Sequence, residues 1–70
     1  MKIGVLIYPN VQPLDAIGPW EVFSIWQKIL APNVELVLVS EHGGLVECDS
    51  SIVLQAHVDF AGCDNLDCLI

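Results

Sequence analysis

The stretch KIGVLIYPNVQPLDAIGPWEVFSIWQKILAPNVELVLV, residues 2–39, decides the fold. It opens with a short apolar run, Lys2 to Tyr8, which is rich in Ile and Val and is closed by Pro9 and Asn10. Such a run is typical of a strand that is buried on both faces, as in a parallel sheet. A similar run from Val34 to Val39 predicts a second strand of the same kind.

The residues between these strands, from about Leu14 to Leu30, repeat with the period of a helix. One face carries the large apolar side chains of Trp20, Phe23, Trp26 and Leu30. Proline is favoured in a first helical turn, so Pro19 predicts a regular helix that begins near Gly18. Strand, helix and strand then form a βαβ unit with a right-handed crossover. The apolar arc is wide for a helix that covers a sheet on one side only, which favours a further contact such as a second subunit.

The pattern changes after Gly43-Gly44. Residues Leu45 to Cys48 and Ile52 to Val58 predict two short strands around a turn, and the alternation in the second is typical of a half-exposed antiparallel strand. A short helical turn is expected from Asp59 or Phe60 to about Cys63. The segment Asp67 to Ile70 then predicts a third parallel strand.

The chain is apolar for its length. Of its 70 residues 54% are hydrophobic and the mean hydropathy is +0.63, whereas a domain of this size has only a small core. We therefore expect residues 1–70 to be the N-terminal portion of one larger α/β domain, interrupted within its third parallel strand.

Composition also excludes several classes of function. The net charge is −7 and Lys2 and Lys28 are the only basic residues, so no patch could neutralise several nucleic-acid phosphates. No run approaches the roughly 20 apolar residues of a membrane-spanning helix, and a soluble, cytoplasmic protein is expected. The three cysteines and two histidines match no zinc spacing, so we expect no metal and reduced cysteines that serve packing.

Ligands of open parallel sheets bind beyond the carboxyl ends of the strands, which directs attention to the loop Pro9 to Pro19. Asp15 is the only acidic residue of this loop and has apolar neighbours in sequence. It is either a general acid or base, or a carboxylate that holds a nucleophile, or simply the N-cap of the helix. His42 follows the second strand on the same side, and His57 is interpreted as a solvated side chain on the polar face of its strand.

The run GVLIYPNVQPLDAIGPWEVF, Gly4 to Phe23, resembles the N-terminal signature of the DJ-1/PfpI family, and within it the isonitrile hydratase branch. The segments Ser51 to Gln55 and Leu66 to Ile70 are also similar to that family in order. The resemblance implies a flavodoxin-like, class I glutamine amidotransferase-like fold: a three-layer sandwich with a mostly parallel sheet and an inserted β-hairpin. It further implies a homodimer that needs no cofactor.

The same resemblance implies a site for a small-molecule substrate. Asp15 takes the acidic position of the family and would be the acid/base partner of a nucleophilic cysteine beyond residue 70, with Gly18 and Trp20 binding the substrate. The implied reaction adds water to an isonitrile and gives an N-substituted formamide. Two other functions remain open: a ligand-sensing domain of a transcription regulator, and a redox or stress-protective role without catalysis.

Overall fold

A computed structural model describes all 70 residues and shows a mixed α/β fold. The elements, in chain order, are β1 (Lys2–Leu6), α1 (Pro13–Leu30), β2 (Glu35–Ser40), β3 (Gly44–Glu47), β4 (Val53–Ala56), β5 (Val58–Asp59) and β6 (Cys68–Leu69). A single 3₁₀ turn, Asp49–Ser51, joins β3 to β4.

Four strands form a parallel sheet in the order β5-β2-β1-β6. The β1–β2 pairing is the longest and runs from Lys2 opposite Glu35 to Leu6 opposite Val39. The strands β3 and β4 pair antiparallel as a separate ribbon.

The predicted βαβ unit, the antiparallel hairpin and the parallel strand near Asp67 to Ile70 are therefore confirmed. The strand β1 ends two residues earlier than predicted, and β2 is shifted by one residue. The second hairpin strand ends at Ala56 rather than Val58, because Val58 pairs with β2 in the parallel sheet, so the predicted third parallel strand is the fourth.

The predicted start of the helix is wrong. The helix α1 begins at Pro13 rather than near Gly18, and Pro19 lies inside it. Two prolines compete for the first-turn position, and Pro13 occupies it because its fixed φ and missing N–H suit the first helical residue. Pro19 therefore leaves the carbonyl of Asp15 without its usual donor four residues later. The end of the helix at Leu30 agrees with the prediction.

One buried cluster joins β1, α1 and the hairpin. Its members come from β1 and the loop after it, from α1 and from the hairpin, and they are Val5, Ile7, Val11, Ala16, Val46, Cys48 and Ala56. Cys48 is thus a packing thiol, as predicted, but Cys68 is exposed and the packing interpretation is wrong for it. Cys68 lies on β6, which has no neighbouring strand on its outer side.

The opposite face of the sheet is covered by the connection from β5 to β6. A methyl group at Gly4 would lie 3.0 Å from Leu66 Cδ2 and 3.1 Å from Val39 Cγ2. Leu66 therefore packs directly over the backbone of β1, and a side chain at position 4 would force Leu66 or Val39 to shift. The connection crosses the sheet from one edge to the other on this face.

The outer face of α1 is uncovered. It carries a stripe of exposed apolar side chains, named here the α1 stripe: Leu14, Ile17, Val22, Ile25 and Ile29. The helix α1 is not long and apolar enough to cross a membrane, and the structure has no other α-helix.

The close approach at Gly4 generates a stability prediction. Gly4→Val should lower the free energy of unfolding by about 1–3 kcal/mol, because the added methyl groups collide with Leu66 and the rigid side chain of Val39. In urea denaturation, Leu66→Ala should cost less in the Gly4→Val background than in the wild type. Gly18→Ala is the control: its nearest neighbour would be 4.0 Å away, and it should raise stability by about 0.5–1 kcal/mol. Equal losses for Leu66→Ala in both backgrounds would contradict the packing described here.

Candidate functional site

The parallel strands β1 and β2 end on the same side of the sheet, which is called the carboxyl edge here. The loops that follow the two strands lie on this side and are joined to the hairpin. The N–H of Asn10 donates to the carbonyl of Glu47 at 2.9 Å, and the N–H of Asp49 donates to the carbonyl of Val11 at 2.9 Å. The loop from Ile7 to Gln12 is therefore held between the sheet and the hairpin. Since α1 begins directly after this loop, its first turn lies at the same edge.

Asp15 is exposed in that first turn. Gln12 is the N-cap residue and has no side-chain capping bond, so Asp15 does not have the N-cap role that spacing favoured. The apolar surroundings expected from its sequence neighbours are not found either. No hydrogen bond or ion pair involves its carboxylate, which the positive end of the helix dipole favours at this position. Asp15 is thus an unpaired carboxylate that is open to solvent.

Gly18 lies three residues after Asp15, nearly one helical turn, and so on the same side of α1. A side chain there would meet nothing closer than Leu14 at 4.0 Å, so Gly18 leaves open surface beside the Asp15 carboxylate. Trp20 is elsewhere: five residues separate it from Asp15, which corresponds to about 140° around the helix axis. Its half-buried indole packs against the core cluster. The structure thus brings Asp15 and Gly18 together and separates Trp20 from them.

A cleft of about 260 Å³ lies at the same edge of the sheet. It is lined by Pro9, by residues 40–43 after β2, and by residues 45–47 of β3. Ser40, at the end of β2, is 3% exposed, and its hydroxyl has no hydrogen-bond partner. At the rim, His42 Nε2 lies 3.5 Å from Glu41 Oε1, and both side chains are exposed. None of Asp15, Gly18 and Trp20 lines this cleft.

Sequence reasoning reached this loop through His42 but passed over Ser40. A serine that ends an apolar strand run, directly before a Glu-His-Gly-Gly loop, is the available signal. A second cavity, of about 380 Å³, lies at the opposite edge, where the strands β1 and β2 begin. The Nζ of its basic residue, Lys2, lies 3.9 Å from the carboxylate of Asp64, and the backbone N–H of Lys2 donates to the carboxylate of Asp67.

His57 is more than the solvated side chain that the alternation predicted. Its imidazole is exposed, yet Nδ1 accepts a hydrogen bond from the N–H of Leu38 at 2.8 Å. The ring also stacks on the indole of Trp20, with centroids 5.5 Å apart and an interplanar angle of 25°. The residue between β4 and β5 therefore contacts both the sheet and the helix.

No three His, Cys, Asp or Glu side chains lie close enough together to hold a metal ion. Comparison with known proteins identifies no matching family model and no matching curated protein. The function is therefore argued from Asp15, its surroundings and the sequence resemblance.

The unpartnered hydroxyl of Ser40 gives a test of the cleft. Ser40→Ala should leave the free energy of unfolding unchanged or raise it by about 1 kcal/mol, because it removes a buried polar group that has no partner. Ser40→Thr keeps the hydroxyl and adds a methyl group to a packed position, so it should cost about 1–3 kcal/mol. Urea denaturation of both variants measures the difference. A loss of stability in Ser40→Ala would show that the hydroxyl is satisfied after all.

Proposed function

We propose that the protein is a member of the DJ-1/PfpI family with isonitrile hydratase-like activity, and that Asp15 is its acid/base residue. The observation that carries the proposal is the position of Asp15: an unpaired, exposed carboxylate in the first turn of α1, at the carboxyl edge of a parallel sheet. Residues Gly4 to Phe23, whose sequence resembles the family signature, form most of β1, the loop after it and the first part of α1. The flavodoxin-like three-layer sandwich, with residues 1–70 as the N-terminal portion of the domain, belongs to the same proposal.

The surroundings of Asp15 favour a catalytic role over a structural one. A structural carboxylate at a helix start normally accepts a backbone hydrogen bond as N-cap, and Asp15 does not hold that position. Its neighbour Gly18 leaves room for a small molecule, which a larger residue on that side would fill. Asp15 and Gly18 are therefore proposed to contact the substrate directly.

Trp20 has a different part in the proposal. Its indole is fixed by the core cluster and by His57, on another side of α1 from Asp15. Trp20 therefore does not contact the substrate in this proposal, and its part is to fix α1, and with it Asp15, against the core cluster.

The proposed reaction consumes one water molecule. A cysteine thiolate from the sequence beyond residue 70 adds to the terminal carbon of the isonitrile, and Asp15 in its protonated form gives that carbon a proton. Water then attacks the resulting thioimidate carbon, and the Asp15 carboxylate takes a proton from the water and passes it to the nitrogen. Departure of the thiolate releases the N-substituted formamide, and the proton of its hydroxyl returns to Asp15. In one catalytic cycle Asp15 thus donates a proton twice and accepts a proton twice.

The α1 stripe is the proposed contact surface of the homodimer. The α1 stripe exposes 72% of Leu14, 65% of Val22 and 71% of Ile29, which is unusual for a helix facing water. A two-fold axis across the C-terminal half of this stripe, at Val22, Ile25 and Ile29, would bring the same apolar residues of two subunits together and leave the first turn with Asp15 uncovered. The wide apolar arc that the sequence showed is accounted for in this way.

Replacement of Asp15 tests the proposed reaction. In the full-length enzyme, Asp15→Asn should reduce kcat for hydration of an alkyl or aryl isonitrile by about 10²–10⁴-fold, because the amide neither gives nor takes the proton. Formamide production is followed chromatographically. Glu21→Gln, an exposed acidic residue of the same helix, is the matched control and should retain wild-type turnover. Unchanged turnover in Asp15→Asn would refute the role of Asp15, whereas a wild type that hydrates no isonitrile would favour the ligand-sensing alternative.

A charge placed in the α1 stripe tests the dimer. Ile25→Glu should weaken self-association by roughly 30-fold or more, about 2 kcal/mol, because the carboxylate would be buried without a partner. Sedimentation equilibrium measures the association constant. Ile52→Glu is the control, since Ile52 is exposed near the hairpin turn, away from α1. Equal association of wild type and Ile25→Glu would place the interface elsewhere.

A further inference from the structure

The residue His57 forms two hydrogen bonds with Leu38 of β2. Its backbone N–H donates to the carbonyl of Leu38 at 2.8 Å, and its ring nitrogen Nδ1 accepts from the N–H of Leu38 at 2.8 Å. The backbone pairing of β2 with β5 begins only at Val39, opposite Val58. The imidazole therefore supplies the acceptor that a longer β5 would have supplied from its backbone.

The same ring is held on its flat side by Trp20. Stacking at 5.5 Å places the imidazole between the indole of α1 and the edge of β2, while the residue before it, Ala56, is buried in the core cluster. His57 thus connects three parts of the fold: the helix, the edge of the sheet and the end of the hairpin. Stacked rings at this distance stabilise one another beyond the area they bury.

The hydrogen bond from the N–H of Leu38 determines which ring nitrogen of His57 carries the proton. A nitrogen that accepts a hydrogen bond carries no proton, so Nδ1 is bare and the ring proton is on Nε2. Protonation of Nδ1 would set an N–H against the N–H of Leu38, and the ring would have to turn away from β2. The hydrogen bond is lost in that state.

No carboxylate forms an ion pair with the imidazole of His57. Asp59 of β5 is the nearest acidic residue in sequence, and its Oδ1 accepts the N–H of Gly62 at 2.6 Å. From α1 the ring meets Trp20, whose neighbour Glu21 is exposed, and from β2 it meets Leu38. The ion pairs of the protein are Lys2 with Asp64 and Glu41 with His42, neither of which includes His57.

We propose that His57 is an acid-sensitive clasp, which closes the end of the hairpin and the Trp20 indole against the edge of β2 when its ring is neutral and releases both when it is protonated. Strand β3 of this hairpin lines the cleft at the carboxyl edge, and the turn end of the hairpin, at Glu47 and Asp49, bonds to the loop that precedes Asp15. Opening of the clasp therefore loosens an element that borders the proposed site. The inference rests on hydrogen-bond geometry and holds whether or not the protein hydrates isonitriles.

The tautomer is tested first, by long-range ¹H–¹⁵N correlation spectra of the ¹⁵N-labelled protein at neutral pH. The expected result for His57 is a bare Nδ1 and a protonated Nε2. His42→Gln removes the only other imidazole and assigns the signals. A protonated Nδ1 at neutral pH overturns the proposal without any variant of His57.

Release of the hairpin end from β2 is tested by amide hydrogen exchange of Leu38 between pH 8 and pH 5, because histidine side chains commonly change charge in this range. The exchange rates are corrected for the intrinsic pH dependence of exchange. Protection should fall by roughly five- to tenfold in the wild type, the factor that one ordinary hydrogen bond accounts for. Trp20 emission, read in a Trp26→Phe background, should change over the same interval.

Two variants separate stacking from hydrogen bonding. His57→Gln keeps an acceptor that does not titrate, so the corrected protection of Leu38 should be independent of pH. His57→Phe keeps the stack without an acceptor, so protection should be low at every pH. A wild-type Leu38 whose protection stays constant from pH 8 to pH 5 refutes the clasp, and turnover of isonitriles plays no part in that result.

Discussion

The parallel pairing of β1 with β2 is the constraint on which the rest of the structure depends. Parallel neighbours cannot be joined by a tight turn, so the chain between them must cross from one end of the sheet to the other. The helix α1 makes that crossing and places its first turn where β1 ends. Because the two strands end at the same edge, the loops of both meet there, and the hairpin that follows β2 is bonded to the loop that follows β1.

This arrangement explains how the first turn of α1, which carries Asp15, is held in place. The loop before α1 is fixed by backbone hydrogen bonds to the hairpin, and Val11 is buried in the core cluster beneath it. Asp15 therefore projects from a supported position, although its own side chain is free. A carboxylate held by a rigid helix and open to solvent is suited to proton transfer with a small molecule, since no existing bond has to be broken first.

Periodicity predicted the sheet and hairpin well because their burial repeats regularly along the chain. It failed at the helix start, where either of two prolines suits a first turn and only packing of the preceding loop selects Pro13. The prediction of an apolar environment for Asp15 was also wrong. Its apolar neighbours in sequence do not surround it, because Val11 and Ala16 point into the core whereas Leu14 and Ile17 point away from it. The bond between His57 and Leu38 was beyond prediction, because it depends on β5 beginning one residue too late to pair with Leu38.

The apolar surface left on the molecule is of two physical kinds. The α1 stripe belongs to a helix whose interior backbone groups bond within the helix, so only side-chain contact is needed to cover it. The edge strand β6 instead has unpaired backbone donors and acceptors on its outer side, together with the half-exposed side chain of Leu69. Such an edge is satisfied by another strand, which supplies the complementary hydrogen bonds. A second subunit packed on α1 and a strand added beside β6 would therefore cover different surfaces and need not compete.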